Sequence, residues 1–198
     1  MTLAGSLGPT CPYCAGLSEL VVGDVIYPHR PDLAAKKVWR CPPCNAYVGC
    51  HPGTTKPLGR LANAALREAK IQAHAAFDPL WRTGWMGRHQ AYGWLAMQLG
   101  LARDDCHIGL FDLDGCQRVV TASRAYIAEK YQGEACVYVD DFDPATLEPL
   151  GRRCGRVAKD VIFWTDGRFS AACGEHGFTI LTPETRLLVF SVQTLVAA

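Results

Sequence analysis

Apolar and polar positions along the chain change period twice. Up to about residue 50, short runs rich in β-branched and aromatic residues (19–22, 25–27, 37–40 and 46–49) read as strands. Gly23-Asp24 lies between the first two, and a glycine in the first central position predicts a two-residue hairpin turn there. From Leu58 the period becomes helical: Leu58, Leu61, Ala62, Ala65, Leu66, Ala69, Ala73, Ala76, Phe77 and Leu80 recur at three and four. This predicts an amphipathic helix to about Asp78, stopped by Pro79. A loop with Gly84 and Gly87 leads to a second helix, 88–99, whose inner face is Tyr92, Leu95, Ala96 and Leu99 and whose C′ residue is Gly100. Asp114-Gly115-Cys116-Gln117 fits a capping box, with Asp114 as N-cap and Gln117 reaching back from N3. It opens a third helix through Val119, Val120, Ser123 and Ile127 to about residue 129. Past Gln132-Gly133 the pattern returns to strands: 135–139, 161–164, 169–172, 178–181 and 186–192. Thr165-Asp166-Gly167-Arg168 signals a type I′ turn, and Thr182-Pro183-Glu184-Thr185 a second turn.

The cysteines give the first region its purpose. Cys11-Pro12-Tyr13-Cys14 and Cys41-Pro42-Pro43-Cys44 are two C-x₂-C turns, each able to offer one edge of a tetrahedral Zn²⁺ site, and together they complete it. The proline after each leading cysteine pre-sets φ for the tight turn. Strands leading into and out of the second turn are the layout of a zinc ribbon. Four cysteines leave no open coordination position, so the one Zn²⁺ they imply is structural. Disulfides would need an oxidising compartment, and residues 1–6 have neither a basic nor an apolar leader character. The pattern thus predicts an α+β protein in three parts: an N-terminal four-cysteine zinc ribbon at 1–55, a helical region of about three helices at 56–132 packed on it, and a small acidic antiparallel β-sheet subdomain at 133–198.

At 198 residues the chain can bury roughly 70% of its unfolded surface. No apolar run is long enough to cross a bilayer, so a membrane is not an expected partner, and a cytoplasmic location is. Net charge is only +1, but residues 1–103 carry eleven Lys and Arg against five Asp and Glu, and 104–198 carry nine against fourteen. A basic half joined to a ribbon suits nucleic acid, through Lys36, Lys37, Arg40 and a helical stripe of Arg60, Asn63, Arg67, Lys70 and His74. The bland alternative is a solvated face. Trp81, Trp85, Tyr92 and Trp94, interleaved with Arg82 and Arg88, read as packing between helices, or alternatively as a base-stacking platform. The acidic remainder suits a protein partner.

Other chemistry is sparser. Cys50-His51 and Cys106-His107 are adjacent pairs whose members would point to opposite faces of a strand, so buried thiols account for Cys50 and Cys106. Cys173-Gly174-Glu175-His176 has C-x₂-H spacing, and Cys154 or Cys136 could approach it, giving a candidate second metal site of Cys154, Cys173 and His176. Capping accounts for Asp114 without pairing it with Asp112 around Mg²⁺. A metal-dependent nuclease using His51 and His74 is the remaining enzymatic reading, because there is no nucleophile motif, phosphate-binding glycine loop or His-x₃-His pair. No catalytic residue is expected.

Cys11-Pro12-Tyr13-Cys14, Trp39-Arg40-Cys41-Pro42-Pro43-Cys44, Ala46-Tyr47-Val48-Gly49-Cys50-His51-Pro52-Gly53-Thr54, Pro57-Leu58-Gly59, residues 73–81, Ala91-Tyr92 with Trp94-Leu95-Ala96, and Cys106-His107-Ile108-Gly109 together resemble a zinc-finger-containing domain family of bacterial and phage proteins. The resemblance covers about residues 10–122. It implies zinc binding without a particular activity, and a phage or mobile-element origin, in which case the location is a host cytoplasm and a protein partner would be a host factor that the chain binds or inhibits.

Overall fold

The computed structural model describes residues 8–82, 84–131, 154, 156–164, 169–173 and 189–194. It is α+β, with two compact units: Met1–Ile71 with His107–Cys116, and Gln72–Cys106 with Gln117–Ala198.

In the first unit, β1 (Glu19–Val22), β2 (Lys37–Cys41) and β3 (Ala46–Gly49) form an antiparallel sheet in that order. Arg40 sits at the centre of one cross-strand row, opposite Glu19 on β1 and Tyr47 on β3. The pattern misplaces one element here. Gly23–Val25 is a 3-10 turn, and the partner of β1 is β2 rather than residues 25–27. Gly23 is fixed by crowding: a Cβ there would strike the Leu33 carbonyl, so the chain folds back through a second 3-10 turn, Pro31–Leu33, before β2 begins. Leu20, Val21, Val38 and Trp39 are buried, and Trp39 Nε1 donates to Thr55 O at 2.7 Å.

Helix α1 is Ala64–Phe77 and starts six residues later than the apolar period suggests. Residues 58–63 stay outside the helix: Ala62 bridges Tyr47, with both backbone bonds at 3.1 Å, and Asn63 Oδ1 then caps the helix by accepting from Leu66 N at 3.0 Å. Leu61 and Ala62 are therefore buried as non-helical residues that happen to keep helical spacing. Gly59 and Gly109 meet backbone to backbone: a Cβ on Gly59 would strike the Gly109 carbonyl, which accepts from Arg60 N at 3.0 Å.

In the second unit, the one-turn helix α2 (Pro79–Arg82) follows α1, with proline at its first position. α3 (Arg88–Leu99) ends as its glycine predicts, Gly100 being left-handed at φ 65°. α4 is Leu113–Tyr131. Its cap is Asp112, whose Oδ1 accepts from Gly115 N at 3.0 Å, and not Asp114. Phe77, Leu80, Leu95, Val119 and Ile127 are fully buried in this unit. Trp85 and Trp94 pack on Tyr126 at centroid distances of 6.3 and 5.0 Å, while Arg88 lies over both Trp81 and Tyr92. The aromatic group is thus packing material whose interleaved cations are laid on its own rings. β4 (Asp160–Trp164), β5 (Phe169–Ala172) and β6 (Val189–Thr194) form a second antiparallel sheet, ordered β5-β4-β6. The strands expected at 135–139 and 178–181, and both turns of that region, lie outside the described residues.

Candidate metal centre

The two C-x₂-C turns converge. The sulfurs of Cys11, Cys14, Cys41 and Cys44 all lie within 4.8 Å of one another, the one such cluster of three or more His, Cys, Asp or Glu among the described residues. Cys14 Sγ and Cys41 Sγ are 3.6 Å apart. That is far beyond a disulfide at about 2.05 Å. It is close to the edge of roughly 3.8 Å that four sulfurs at about 2.3 Å from one tetrahedral Zn²⁺ must show.

The knuckles share a left-handed exit residue but close on different carbonyls, the first cysteine in one and the proline after it in the other. Ala15 and Asn45, the residues after the second cysteine of each pair, are both left-handed, with φ of 58° and 45°. Ala15 N donates to Cys11 O at 2.9 Å, and Asn45 N to Pro42 O at 3.2 Å. The turns aim backbone amides at sulfur. Burial pushes the Cys11 thiol up, but hydrogen bonds from the Tyr13 and Cys14 amides, and from the Cys41 and Cys44 thiols, outweigh it and bring Cys11 down to about 7. Burial holds Cys41 up, and the hydrogen bond with Cys14, followed by burial, pushes Cys44 up to about 12. Four thiols sharing protons in this way readily give up one; a divalent cation is what allows the others to ionise together.

The site is held on a small apolar floor. Cys11 and Cys41 are buried with Ala46 and Leu61, and Cys44 and Val48 pack against them. The start of α1 ties both knuckles down. Asn63 N donates to the Tyr13 hydroxyl at 3.2 Å, and Arg67 Nη1 donates to Asn45 O at 3.2 Å and Ala62 O at 2.8 Å, with its guanidinium 4.1 Å over the Tyr47 ring.

A sequence profile described as a zinc-finger-containing domain matches residues 8–126. The chain belongs to that family. No curated protein and no solved structure matches. In this zinc-finger-containing domain the donor set fits one structural Zn²⁺, which would screen the four thiolates from one another and hold the knuckles together.

The expected phosphate-binding residues divide. Lys36, Lys37 and Arg60 are exposed. Arg40 pairs through Nε with Glu19 Oε1 at 3.0 Å. The helical stripe is not a free basic face: Arg67 is committed to the second knuckle, Lys70 Nζ donates to Gly109 O at 2.6 Å and Arg60 O at 3.4 Å, and His74 Nδ1 lies 3.3 Å from Asp78 Oδ1. Period alone gave no sign of this, since a cation that caps carbonyls and one that faces water keep the same spacing. A cleft of about 420 Å³ beside the second knuckle was not foreseen either. Val25, Ile26, Arg40, Pro42, Tyr47 and Arg67 line it together with Cys41 and Asn45. Cys50 is half-buried and its thiol donates to Thr55 O at 3.6 Å, while Cys106 is fully buried. Both thiols are pushed up by burial, as inert structural cysteines are. Cys154 Sγ and Cys173 Sγ lie 3.8 Å apart, and His176 lies outside the described residues. The structure places His51 in an exposed loop, with its carbonyl accepting from the Thr54 hydroxyl at 3.1 Å.

Proposed function

We propose that this zinc-stabilised protein binds nucleic acid through the ribbon face that carries the cleft. The observation behind the reading is the pair of guanidiniums, Arg40 and Arg67, lining one cleft on the sheet that the metal organises. Arginine presents a rigid donor fork matched to phosphate, and here the carbonyls that hold Arg67 and the carboxylate that holds Arg40 orient the forks in advance. Val25, Ile26, Pro42 and Tyr47 add the apolar surface on which a base or sugar could rest. Lys36 and Lys37 at the start of β2, with Lys56 and Arg60, extend positive charge over exposed parts of the same unit. A zinc tetrathiolate carries net negative charge, so an anion is accepted beside it only where cations outweigh that charge. The tetrathiolate and Glu19 together outweigh the two guanidiniums, so the positive excess comes from the exposed Lys36, Lys37, Lys56 and Arg60.

The test is fluorescence anisotropy of labelled single-stranded DNA, single-stranded RNA and duplex DNA with the zinc-loaded chain over rising salt. At least one of the three should bind, with log affinity falling linearly against log salt. Lys36→Gln/Lys37→Gln and Arg40→Gln should each weaken binding, and each lost phosphate contact should reduce the slope by roughly 0.7 to 0.9. No binding to any of the three, or affinity indifferent to salt, overturns the reading and leaves a protein partner as the one to pursue.

A further inference from the structure

We infer that Cys154 and Cys173 supply two thiolates to a second divalent-metal site of the zinc class, where β4 begins and β5 ends. The two cysteines are nineteen residues apart, yet their sulfurs lie 3.8 Å from each other. They are two thiols rather than a disulfide. Their spacing equals the edge of roughly 3.8 Å required of two sulfurs on one tetrahedral Zn²⁺, and is close to the 3.6 Å between Cys14 and Cys41 in the N-terminal centre. Antiparallel pairing makes the approach. Asp160 stands opposite Ala172, and Lys159 N donates to Ala172 O at 2.8 Å, so Cys173 leaves β5 where the chain from Cys154 enters β4. Cys173 is buried, Cys154 is half-buried, and Val161, Ile162, Ala171 and Ala172 beside them in the sheet are fully buried. A soft thiolate pair on such a rigid apolar base selects zinc over magnesium or calcium. In sequence, His176 completes a C-x₂-H spacing with Cys173, but it lies outside the described residues and the assignment rests on the thiol pair.

The site is independent of the nucleic-acid reading, and metal content decides it. Full-length chain purified under reducing conditions and dialysed into metal-free buffer should carry about two equivalents of zinc, and Cys154→Ser/Cys173→Ser about one. In the cobalt-substituted protein, thiolate-to-metal charge-transfer absorption should fall by about a third in the double variant, as six metal-sulfur bonds become four. One zinc per wild-type chain, or an unchanged count in the double variant, overturns the proposal. Should the double variant fail to fold, alkylation of the wild type followed by mass spectrometry reads the same site. Cys154 and Cys173 should resist N-ethylmaleimide until a chelator is added, and labelling rates that chelation leaves unchanged overturn it.

Discussion

Ala15 holds a left-handed conformation that costs an ordinary L-residue about 1–2 kcal/mol, and it does so directly after a metal ligand. Glycine adopts that conformation freely but brings a more flexible unfolded chain, so Ala15→Gly should stabilise the zinc-loaded protein by about 1 kcal/mol. Asn45→Gly should do less, because asparagine already tolerates the region. Urea midpoints at fixed free zinc measure both, and a midpoint for Ala15→Gly at or below wild type would refute the account. Lys70 offers a different test. Burial lowers its ammonium below the ordinary value of 10.5, with nearby Arg60 adding to the effect and Cys116 opposing it. Below the folded-state value the ammonium is charged in both states and the cost of burying it is fully present. As pH rises from there to 10.5, the folded chain sheds its proton before the unfolded chain does, and the cost fades. Stability of wild type relative to Lys70→Met should therefore climb over that alkaline window, read from paired urea midpoints at neutral pH and near pH 10. A constant difference would mean that the amine is not desolvated.

Helix boundaries show which local signals govern an element. Asp112 and Asp114 both precede an apolar run, and the Gln117 spacing favours Asp114, yet it is the Asp112 carboxylate that reaches a free amide. Asp112→Ala should cost about 1 kcal/mol and Asp114→Ala close to nothing, measured as shifts in thermal midpoint of the zinc-loaded chain. Equal losses would return the cap to Asp114. At α3 the sequence was sufficient: Gly87 N donates to Gln90 Oε1 at 2.9 Å, Gly100 closes the helix, and both ends fall where composition puts them. At α1 it was not. The apolar period at Leu58, Leu61 and Ala62 belongs to a non-helical segment in which Leu58 N bonds to Gly49 O and Ala62 bridges Tyr47, and pairing partners distant in sequence leave no mark on local period. The same limit hid the roles of Gly59 and Gly109, whose contact joins residues fifty apart. The metal ligands were legible because C-x₂-C is itself the local geometry that zinc requires. The cleft was not, because Arg40 and Arg67 meet only after the sheet and α1 have been assembled.

Across the whole molecule the two units depend on metal differently. β1, β2 and β3 have four, five and four residues, and two of the four members of their buried cluster, Cys11 and Cys41, are themselves ligands. Without the ion, that cluster becomes thiols around Ala46 and Leu61, and the burial left at Leu20, Val21, Val38 and Trp39 is too little to order three strands this short. Structural zinc contributes on the order of 10–16 kcal/mol in small modules, as much as the net stability of a whole domain. The buried residues around α3, by contrast, are Phe77, Leu80, Leu95 and Leu99, none of them a ligand. Cys41→Ser, which removes one N-terminal ligand and leaves Cys154 and Cys173 in place, should therefore release hydrogen-exchange protection at Leu20, Val21, Val38, Trp39 and Tyr47, as should a strong chelator. Amides at Leu95, Ala96 and Leu99 should keep most of theirs. Adding Zn²⁺ back to the chelated wild type should restore the pattern, and Mg²⁺ should not, since thiolates hold it weakly. If the sheet amides stay protected in metal-free protein, the ribbon is held by its apolar contacts and the four sulfurs are incidental. If α3 opens together with the sheet, the metal governs one cooperative structure rather than one of two units.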